Sequence, residues 1–186
     1  MSLKICLGDI TRCNDVDVVV NPANPSLLGG GGADGAIHRA AGPELLEECK
    51  KIGGCNHGDA VITNAYNLPC KKIIHTVGPI WEGGNNNEPE ILYSCYIQCL
   101  QLAKDNGLRR IAFPSIATGA YGFPTREAAK IAFSAMTAFL SANPNSYDEI
   151  QMVLYDVGTK DIYIEELKNT LKKIWGPDDW DEPLTS

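Results

Sequence analysis

The chain has 186 residues, of which 44% are hydrophobic and 21% are charged, and its net charge is −7. This length suits one domain with a sizeable core, and an acidic chain without a lysine or arginine cluster is unsuited to binding nucleic acid through its phosphates. No apolar run approaches the roughly 18 residues of a membrane helix, and the N-terminus has no basic and apolar leader, so we expect a cytoplasmic protein without a membrane segment.

Apolar runs and helical patterns alternate along the chain. Most of the apolar runs are continuous, as in strands that are buried on both faces. In chain order, the sequence predicts strands at residues 3–7, 17–20, 59–63, 72–76, 110–113 and 150–155. It predicts helices at residues 35–41, 43–52, 88–106, 125–141 and 160–174. This alternation indicates an α/β fold, namely a three-layer α/β/α sandwich.

The sequence contains no internal repeat and no domain linker. We therefore predict one domain over residues 1–175. The remaining segment, "GPDDWDEPLTS" at residues 176–186, is acidic and contains two prolines, and we expect it to be a loosely attached C-terminal tail.

The seven cysteines are scattered and form no Cys-x-x-Cys pair. This pattern predicts that the cysteines are reduced thiols in a cytoplasmic protein. Cys95 and Cys99 share a helical face, and Cys55 lies near His57 in a loop, but neither pair has the second pair that a zinc site requires. The sequence predicts no metal and no cofactor.

Unusual loops follow four of the predicted strands. "GDIT" follows the first, "NPANPSLLGGGGADG" the second, "PSIATGAYGFP" the fifth, and Tyr155-Asp156 closes the sixth. Ligands of open α/β sheets bind beyond the carboxyl ends of the strands. The four loops therefore predict a single site at that edge of the sheet.

Two of these loops are rich in glycine. Residues 29–32 are four consecutive glycines, and "ATGAYGFP" at residues 117–124 leads into a helix. Glycine lets backbone approach a ligand closely, and helix N-termini offer free N–H groups to phosphate, so the pair predicts a cleft for an extended phosphorylated ligand. The alternative is two structural turns. A dinucleotide fingerprint, Gly30-x-Gly32-x-x-Gly35, is a chance match, because nine residues separate it from the strand where that fold needs a tight turn.

Together with "IHTVGP", these segments resemble the macro domain family, an ADP-ribose-binding fold, from about Leu3 to Ile174. The segment "GGGGADGAIHRAAG" resembles its MacroD-type hydrolases in particular. The resemblance implies a central mixed sheet of about six strands. It implies removal of mono-ADP-ribose from acidic side-chain esters of modified proteins and deacetylation of O-acetyl-ADP-ribose. The alternatives are a reader that binds ADP-ribose without cleaving it and an ADP-ribose 1″-phosphate phosphatase. We expect a monomer whose partners are ADP-ribose, its esters and mono-ADP-ribosylated proteins.

Carried over onto this sequence, the resemblance also implies roles for individual residues. Asp9 would accept a hydrogen bond from the adenine amino group, the Ile10 backbone would donate one, and Tyr155 would pack against the adenine ring. The diphosphate would lie between the glycines at residues 31–32 and the amides of residues 118–122. The implied ligand-binding set is Asp9, Ile10, Asn21, Gly31, Gly32, Ser115, Thr118, Gly119, Ala120, Tyr121, Gly122, Phe123 and Tyr155.

Around the distal ribose, Asn24 would bind the hydroxyls, Asn21 would stabilise the loop, and Phe123 would face the sugar unless it is a core residue. Two positions depart from the family pattern: Pro22 replaces a common alanine, and Ala117 replaces a frequent serine. We expect neither departure to abolish binding.

The implied catalytic set is Asp34, Asn24 and His38. Asp34 would lie near the anomeric carbon, where it would orient or activate a water or activate the ribose hydroxyl. His38 shares a helical face with Asp34, although it could equally be structural. Asp34 also suits the N-cap of the short helix, where the helix dipole would lower its pKa and make it a poor general base. We therefore expect Asp34 to be an electrostatic and positional group, with the pyrophosphate helping to position the water; a purely structural cap is the alternative.

Overall fold

Residues 1–175, the part of the chain that a computed structural model describes, contain six strands and five α-helices. The strands are β1 (Ser2–Leu7), β2 (Val18–Pro22), β3 (Ala60–Asn64), β4 (Lys72–Thr76), β5 (Arg110–Phe113) and β6 (Glu149–Leu154). The helices are α1 (Gly32–Ala41), α2 (Pro43–Ile52), α3 (Glu88–Asp105), α4 (Thr125–Ala142) and α5 (Val157–Trp175), with a short 3-10 helix at Ile10–Arg12.

The described strands form one mixed sheet in the order β1-β6-β5-β2-β4-β3. Strand β3 runs antiparallel to β4, and the other neighbouring pairs are parallel. The predicted fold class is therefore confirmed. Because β1, β6, β5 and β2 are consecutive and parallel, their carboxyl ends lie along one edge, and the four unusual loops follow that edge.

Both faces of the sheet are covered by helices. Val18 and Val20 of β2 belong to a core cluster that includes side chains of α3, α4 and α5, whereas Val19 belongs to a second cluster with side chains of α1 and α2. Alternate residues of a strand point to opposite faces, so a strand between two helical layers must be apolar at every position. This is why the predicted strands read as continuous apolar runs.

Two helix starts differ from the prediction. Helix α1 begins at Gly32 rather than residue 35, with Gly31 as an N-cap that has no side chain to offer. Helix α5 begins at Val157 rather than residue 160, because Asp156 Oδ1 accepts a hydrogen bond from the Thr159 N–H at 2.8 Å and so caps the helix. Helix α5 therefore starts three residues after β6 ends, at the edge of the sheet where the loops converge.

The predicted acidic tail at residues 176–186 lies outside the described residues. Among the helices of residues 1–175, none has the length and apolar character needed to cross a membrane.

Asp17 ties the starts of three central strands together. Its Oδ2 accepts the backbone N–H groups of Arg109 and Arg110 at 2.9 and 3.0 Å, and its Oδ1 accepts Lys71 Nζ at 2.7 Å. Burial alone would raise the pKa of Asp17, but these hydrogen bonds outweigh it and lower the pKa.

We predict that Asp17→Asn lowers the free energy of unfolding by about 1–3 kcal/mol at pH 7, the range for hydrogen bonds to a charged group. A depressed pKa in the folded state stabilises above the ordinary pKa of 3.8, so the loss should shrink as the pH falls through the lowered pKa. Urea unfolding between pH 3 and 7 measures both effects, with Asp161→Asn on the exposed surface of α5 as the control. Equal stability of wild type and Asp17→Asn at pH 7 would contradict this assignment.

Candidate functional site: a cleft at the carboxyl edge of the sheet

Two adjoining cavities form a continuous cleft over this edge. The first, here called the Tyr155 cavity, has a volume of about 610 Å³ and is lined by residues that include Asp9, Ile10 and Tyr155. The second, the Asp34 cavity, has a volume of about 450 Å³. The residues lining both cavities are Gly32, Ala33, Ser115 and Gly119. The glycine run and the loop after β5 thus border both halves of the cleft.

Asp9 lies in the Tyr155 cavity and caps the 3-10 helix. Its Oδ1 accepts hydrogen bonds from the Thr11 N–H at 2.9 Å and the Thr11 hydroxyl at 2.6 Å, and the hydroxyl bond is the main cause of a lowered Asp9 pKa. Its Oδ2 accepts no hydrogen bond from residues 1–175 and remains available to a ligand. Tyr155 is 88% exposed at the rim of the same cavity.

Arg39 of α1 also lines the Tyr155 cavity and brings a positive charge to it. The sequence did not predict a role for Arg39, because this residue does not belong to a cluster of basic residues. The usable signal was its position: Arg39 lies one helical turn after Gly35, on the helix that follows the glycine run.

Between the two cavities, several backbone N–H groups have no hydrogen-bond partner among residues 1–175. Gly31 provides no side-chain cap for α1, and Thr118, Gly119 and Ala120 donate no backbone hydrogen bond within the described residues. Two side-chain hydrogen bonds anchor the loop after β5. Ser115 Oγ contacts Thr118 Oγ1 at 2.7 Å and Tyr163 Oη of α5 at 2.8 Å. A rigid loop with free N–H groups beside a helix N-terminus can bind an anion.

Asp34 is the third residue of α1, lines the second cavity and is 6% exposed. Its Oδ1 accepts a 2.8 Å hydrogen bond from Asn21 Nδ2 and lies 3.5 Å from His38 Nε2. Burial raises the pKa of Asp34, against the opposing effects of the Asn21 hydrogen bond and His38. The prediction of an N-cap with a lowered pKa is therefore wrong, because the glycine run itself starts the helix and leaves Asp34 inside the protein.

The structure places the two asparagines differently from the sequence prediction. The Asn24 side chain fixes its own loop: Nδ2 donates to Gly29 O at 2.8 Å, and Oδ1 accepts the Ser26 hydroxyl at 2.6 Å. Asn24 still lines the Asp34 cavity. Asn21, which was expected to stabilise the loop, is fully buried at the end of β2 and contacts Asp34 instead.

Phe123 is a core residue, which corrects the prediction that it faces the distal ribose. It is 2% exposed, and its ring centroid lies 4.7 Å from that of Trp81. The neighbouring side chain of Tyr121 lines the Asp34 cavity in its place, as do Ala117 and Ala120. Gly122 has a left-handed φ of 70°, which turns the chain so that successive aromatic rings point in different directions.

His38, Cys49 and His75, of which the last two are buried, form a group behind Asp34 whose potential ligand atoms all lie within 4.8 Å of one another. Both ring nitrogens of His75 already have hydrogen-bond partners, namely Asn21 and Thr63. Burial raises the pKa of the Cys49 thiol to about 11, so it is protonated at neutral pH, whereas metals bind the thiolate. We therefore keep the prediction of no metal.

We predict that Gly35→Ala destabilises the protein, although the same change inside a helix normally stabilises by about 0.5–1 kcal/mol. A Cβ at Gly35 would collide with the Gly30 carbonyl oxygen, so the glycine run would have to move. Urea unfolding measures the effect, and Gly119→Ala is the matched control because an added Cβ there meets no atom within 4 Å. A Gly35→Ala variant more stable than wild type would contradict the close contact.

We predict that Asp34→Asn is more stable than wild type at neutral pH. Since folding raises the pKa of Asp34, its ionisation destabilises the wild type as the pH rises from the ordinary value of 3.8 through the raised pKa. Urea unfolding should therefore show a gap that opens over this range. Asp9→Asn should change stability in the opposite sense, because the pKa of Asp9 is lowered. A wild type that is more stable than Asp34→Asn at pH 7 would contradict the prediction that the ionised Asp34 carboxylate destabilises the fold.

Known proteins resemble this chain in both sequence and structure. Residues 20–132 match the family model described as Macro domain. An O-acetyl-ADP-ribose deacetylase of Citrobacter koseri is 54% identical over 160 residues, which cover 84% of this chain and 89% of the relative. The Oceanobacillus iheyensis macrodomain with ADP has a TM-score of 0.86 and 44% identity, covering 91% of each chain. The Trypanosoma brucei macrodomain in complex with ADP-ribose has a TM-score of 0.82 and 39% identity, covering 87% of this chain and 67% of that one. The chain belongs to the macro domain family.

Proposed function

We propose that this protein binds ADP-ribose in the cleft and hydrolyses its esters, deacetylating O-acetyl-ADP-ribose and removing mono-ADP-ribose from acidic side chains of modified proteins. The observation that carries the proposal is Asp34, a buried carboxylate with a raised pKa that borders a cavity. A protein that only bound ADP-ribose would have no need for this costly group at the reacting end of the ligand. The relatives named O-acetyl-ADP-ribose deacetylase support the same reading.

In the proposed complex the adenine occupies the Tyr155 cavity. Asp9 Oδ2 accepts the adenine amino group, the Ile10 backbone contributes a donor, and the exposed Tyr155 ring covers one face of the base. This arrangement is supported by the free acceptor on Asp9 and by the exposure of Tyr155. Aromatic rings that are exposed at a cavity rim gain contact area when a base stacks on them.

The diphosphate lies between the start of α1 and the loop after β5. Free N–H groups at Thr118, Gly119 and Ala120, together with the positive end of the α1 dipole, would bind its oxygens. The glycines at residues 31 and 32 leave the space open, because an added Cβ at either position meets no atom within 4 Å. Arg39 adds long-range attraction from the adenine side.

The distal ribose then occupies the Asp34 cavity beside Asn24 and Tyr121. Asp34 Oδ1 is engaged by Asn21, whereas Oδ2 accepts no hydrogen bond from residues 1–175 and is free to hold a water. The water adds to the carbonyl carbon of the ester while Asp34 takes one of its protons, the bond from that carbon to the ribose oxygen breaks, and Asp34 returns the proton to the departing ribose oxygen. A raised pKa brings the carboxylate closer to the operating pH than an ordinary aspartate, which favours general-base catalysis.

Wild type, Asp34→Asn and Asp9→Asn test this proposal with two measurements. Calorimetry gives the affinity for ADP-ribose, and product release gives turnover of O-acetyl-ADP-ribose and of a glutamate-linked, mono-ADP-ribosylated protein. Asp34→Asn should bind ADP-ribose nearly as well as wild type but lose at least about 100-fold in kcat, which is about 2.7 kcal/mol of barrier. Asp9→Asn should instead weaken binding by about 1–3 kcal/mol and preserve kcat at saturation.

Undiminished turnover by Asp34→Asn would contradict the role of the carboxylate. Wild type that binds ADP-ribose and cleaves neither ester would be a reader. Phosphate release from ADP-ribose 1″-phosphate, without ester cleavage, would identify a phosphatase. Cleavage of the small ester alone would remove modified proteins from the substrate class.

A further inference from the structure

His75 lies one strand in from the edge of the sheet, directly behind the site. It belongs to β4, pairs in register with Asn21 of β2, and is fully buried. Its Nδ1 is 3.0 Å from Asn21 Nδ2, and its Nε2 is 2.9 Å from Thr63 Oγ1 on β3. A row of side chains thus crosses three neighbouring strands and ends at Asp34, which Asn21 contacts at 2.8 Å.

One assignment of protons gives each contact of this row a donor and an acceptor, and it leaves the buried Asn21 Oδ1 without a partner among the described residues. The Thr63 hydroxyl donates to Asn64 O at 3.1 Å, so Thr63 Oγ1 accepts from His75 Nε2–H, and His75 Nδ1 is left as an acceptor. The Asn21 amide then donates one N–H to His75 and the other to Asp34 Oδ1. A flipped Asn21 would place its oxygen against the His75 lone pair and against the carboxylate, which would repel it.

The surroundings of His75 keep its ring neutral near neutral pH, so that Nδ1 stays a hydrogen-bond acceptor. Burial and the nearby His38 lower the pKa of His75 to about 3, so its ring is neutral near neutral pH. The ionisable side chains that face Asp34 and His75 are His38 on α1, Cys49 on α2 and Tyr121 on the loop after β5. Burial raises the pKa values of both Cys49 and Tyr121, so neither carries charge at neutral pH.

We propose that His75 is a positioning residue for ester hydrolysis, which fixes the orientation of the Asn21 amide and thereby holds its N–H on Asp34. The expected effect of His75 on turnover rests on the proposed function, whereas its expected effect on the ionisation of Asp34 does not. Without the acceptor at His75 Nδ1, the Asn21 amide is free to rotate, and Asp34 loses its hydrogen bond. The carboxylate then becomes harder to ionise and less well aimed at the water.

Three variants separate this role from a general contribution to folding. His75→Leu removes both polar atoms of the ring. His75→Asn restores an acceptor close to the position of Nδ1, because the Asn oxygen is attached at the same branch point. Thr63→Val is nearly isosteric in β3 and removes the acceptor that fixes the His75 tautomer, so it tests the row without a cavity in the core.

The experiment measures the pKa of Asp34 by carboxyl NMR titration, together with kcat for O-acetyl-ADP-ribose against pH and the affinity for ADP-ribose. His75→Leu should raise the Asp34 pKa, shift the acid limb of kcat to higher pH, lower kcat by up to about 100-fold and leave ADP-ribose affinity unchanged. Thr63→Val should change the same quantities in the same direction by less, and His75→Asn should return them toward wild type.

An Asp34 pKa that is the same in His75→Leu and wild type would overturn the inference, as would a His75→Asn variant as impaired as His75→Leu. Parallel losses of kcat and ADP-ribose affinity would also overturn it, since they indicate a structural role. If His75→Leu does not fold, an unchanged Asp34 pKa in Thr63→Val overturns the inference. Because the NMR titration needs no turnover, failure of the proposed hydrolase activity would be recognised separately.

Discussion

The Asn21 side chain donates a 2.8 Å hydrogen bond to Asp34, and the rest of the site is arranged around that buried carboxylate. A carboxylate removed from water is costly unless hydrogen bonds or opposite charges compensate it. Here one amide N–H and a histidine at 3.5 Å compensate only in part, so the pKa of Asp34 stays above its ordinary value. Incomplete compensation destabilises the protein when Asp34 is ionised, and in the proposed mechanism it also makes Asp34 a stronger base.

The topology explains why this carboxylate borders a cleft. Strands β1, β6, β5 and β2 are parallel neighbours, so their following loops line up along a single edge of the sheet. The loops after β1 and β6 contribute Asp9 and Tyr155. The segments after β2 and β5 contribute glycines and free N–H groups, and the segment after β2 also leads to Asp34. The cleft therefore offers an aromatic rim at one end, backbone donors in its middle, and a carboxylate at the other end. An adenine, a diphosphate and a ribose follow one another in the same order along ADP-ribose.

The sequence predicted the layers well because each depends on local pattern. Continuous apolar runs such as Val18–Val20 occur where both faces of a strand are buried, and the structure places these valines in two different cores. The glycine run was also informative, since four glycines have little use except to leave space. Helix ends were less predictable, because Gly31 and Asp156 act as caps through backbone geometry and a side-chain contact that periodicity does not reveal.

The sequence identified many residues that line the cleft but not the contacts between them. Asn21 lies near the end of β2 and Asn24 lies in the loop that follows, and only the folded structure shows that Asn21 is the one that contacts Asp34. His75 was overlooked because a histidine inside an apolar strand has no local signal, and its partner on β3 becomes a neighbour only through an antiparallel pairing. The pKa of Asp34 was predicted with the wrong sign, since the helix dipole is visible in sequence and burial is not.

The most direct test of the account compares two titrations of the wild-type protein. NMR follows ionisation of the Asp34 carboxyl in the free protein, and kinetics follows kcat/KM for O-acetyl-ADP-ribose over the same pH range. The account predicts that the acid limb of kcat/KM coincides with the ionisation of Asp34 and that both midpoints lie above 3.8. A rate that stays constant while Asp34 changes its charge would show that this carboxylate does not act in the reaction.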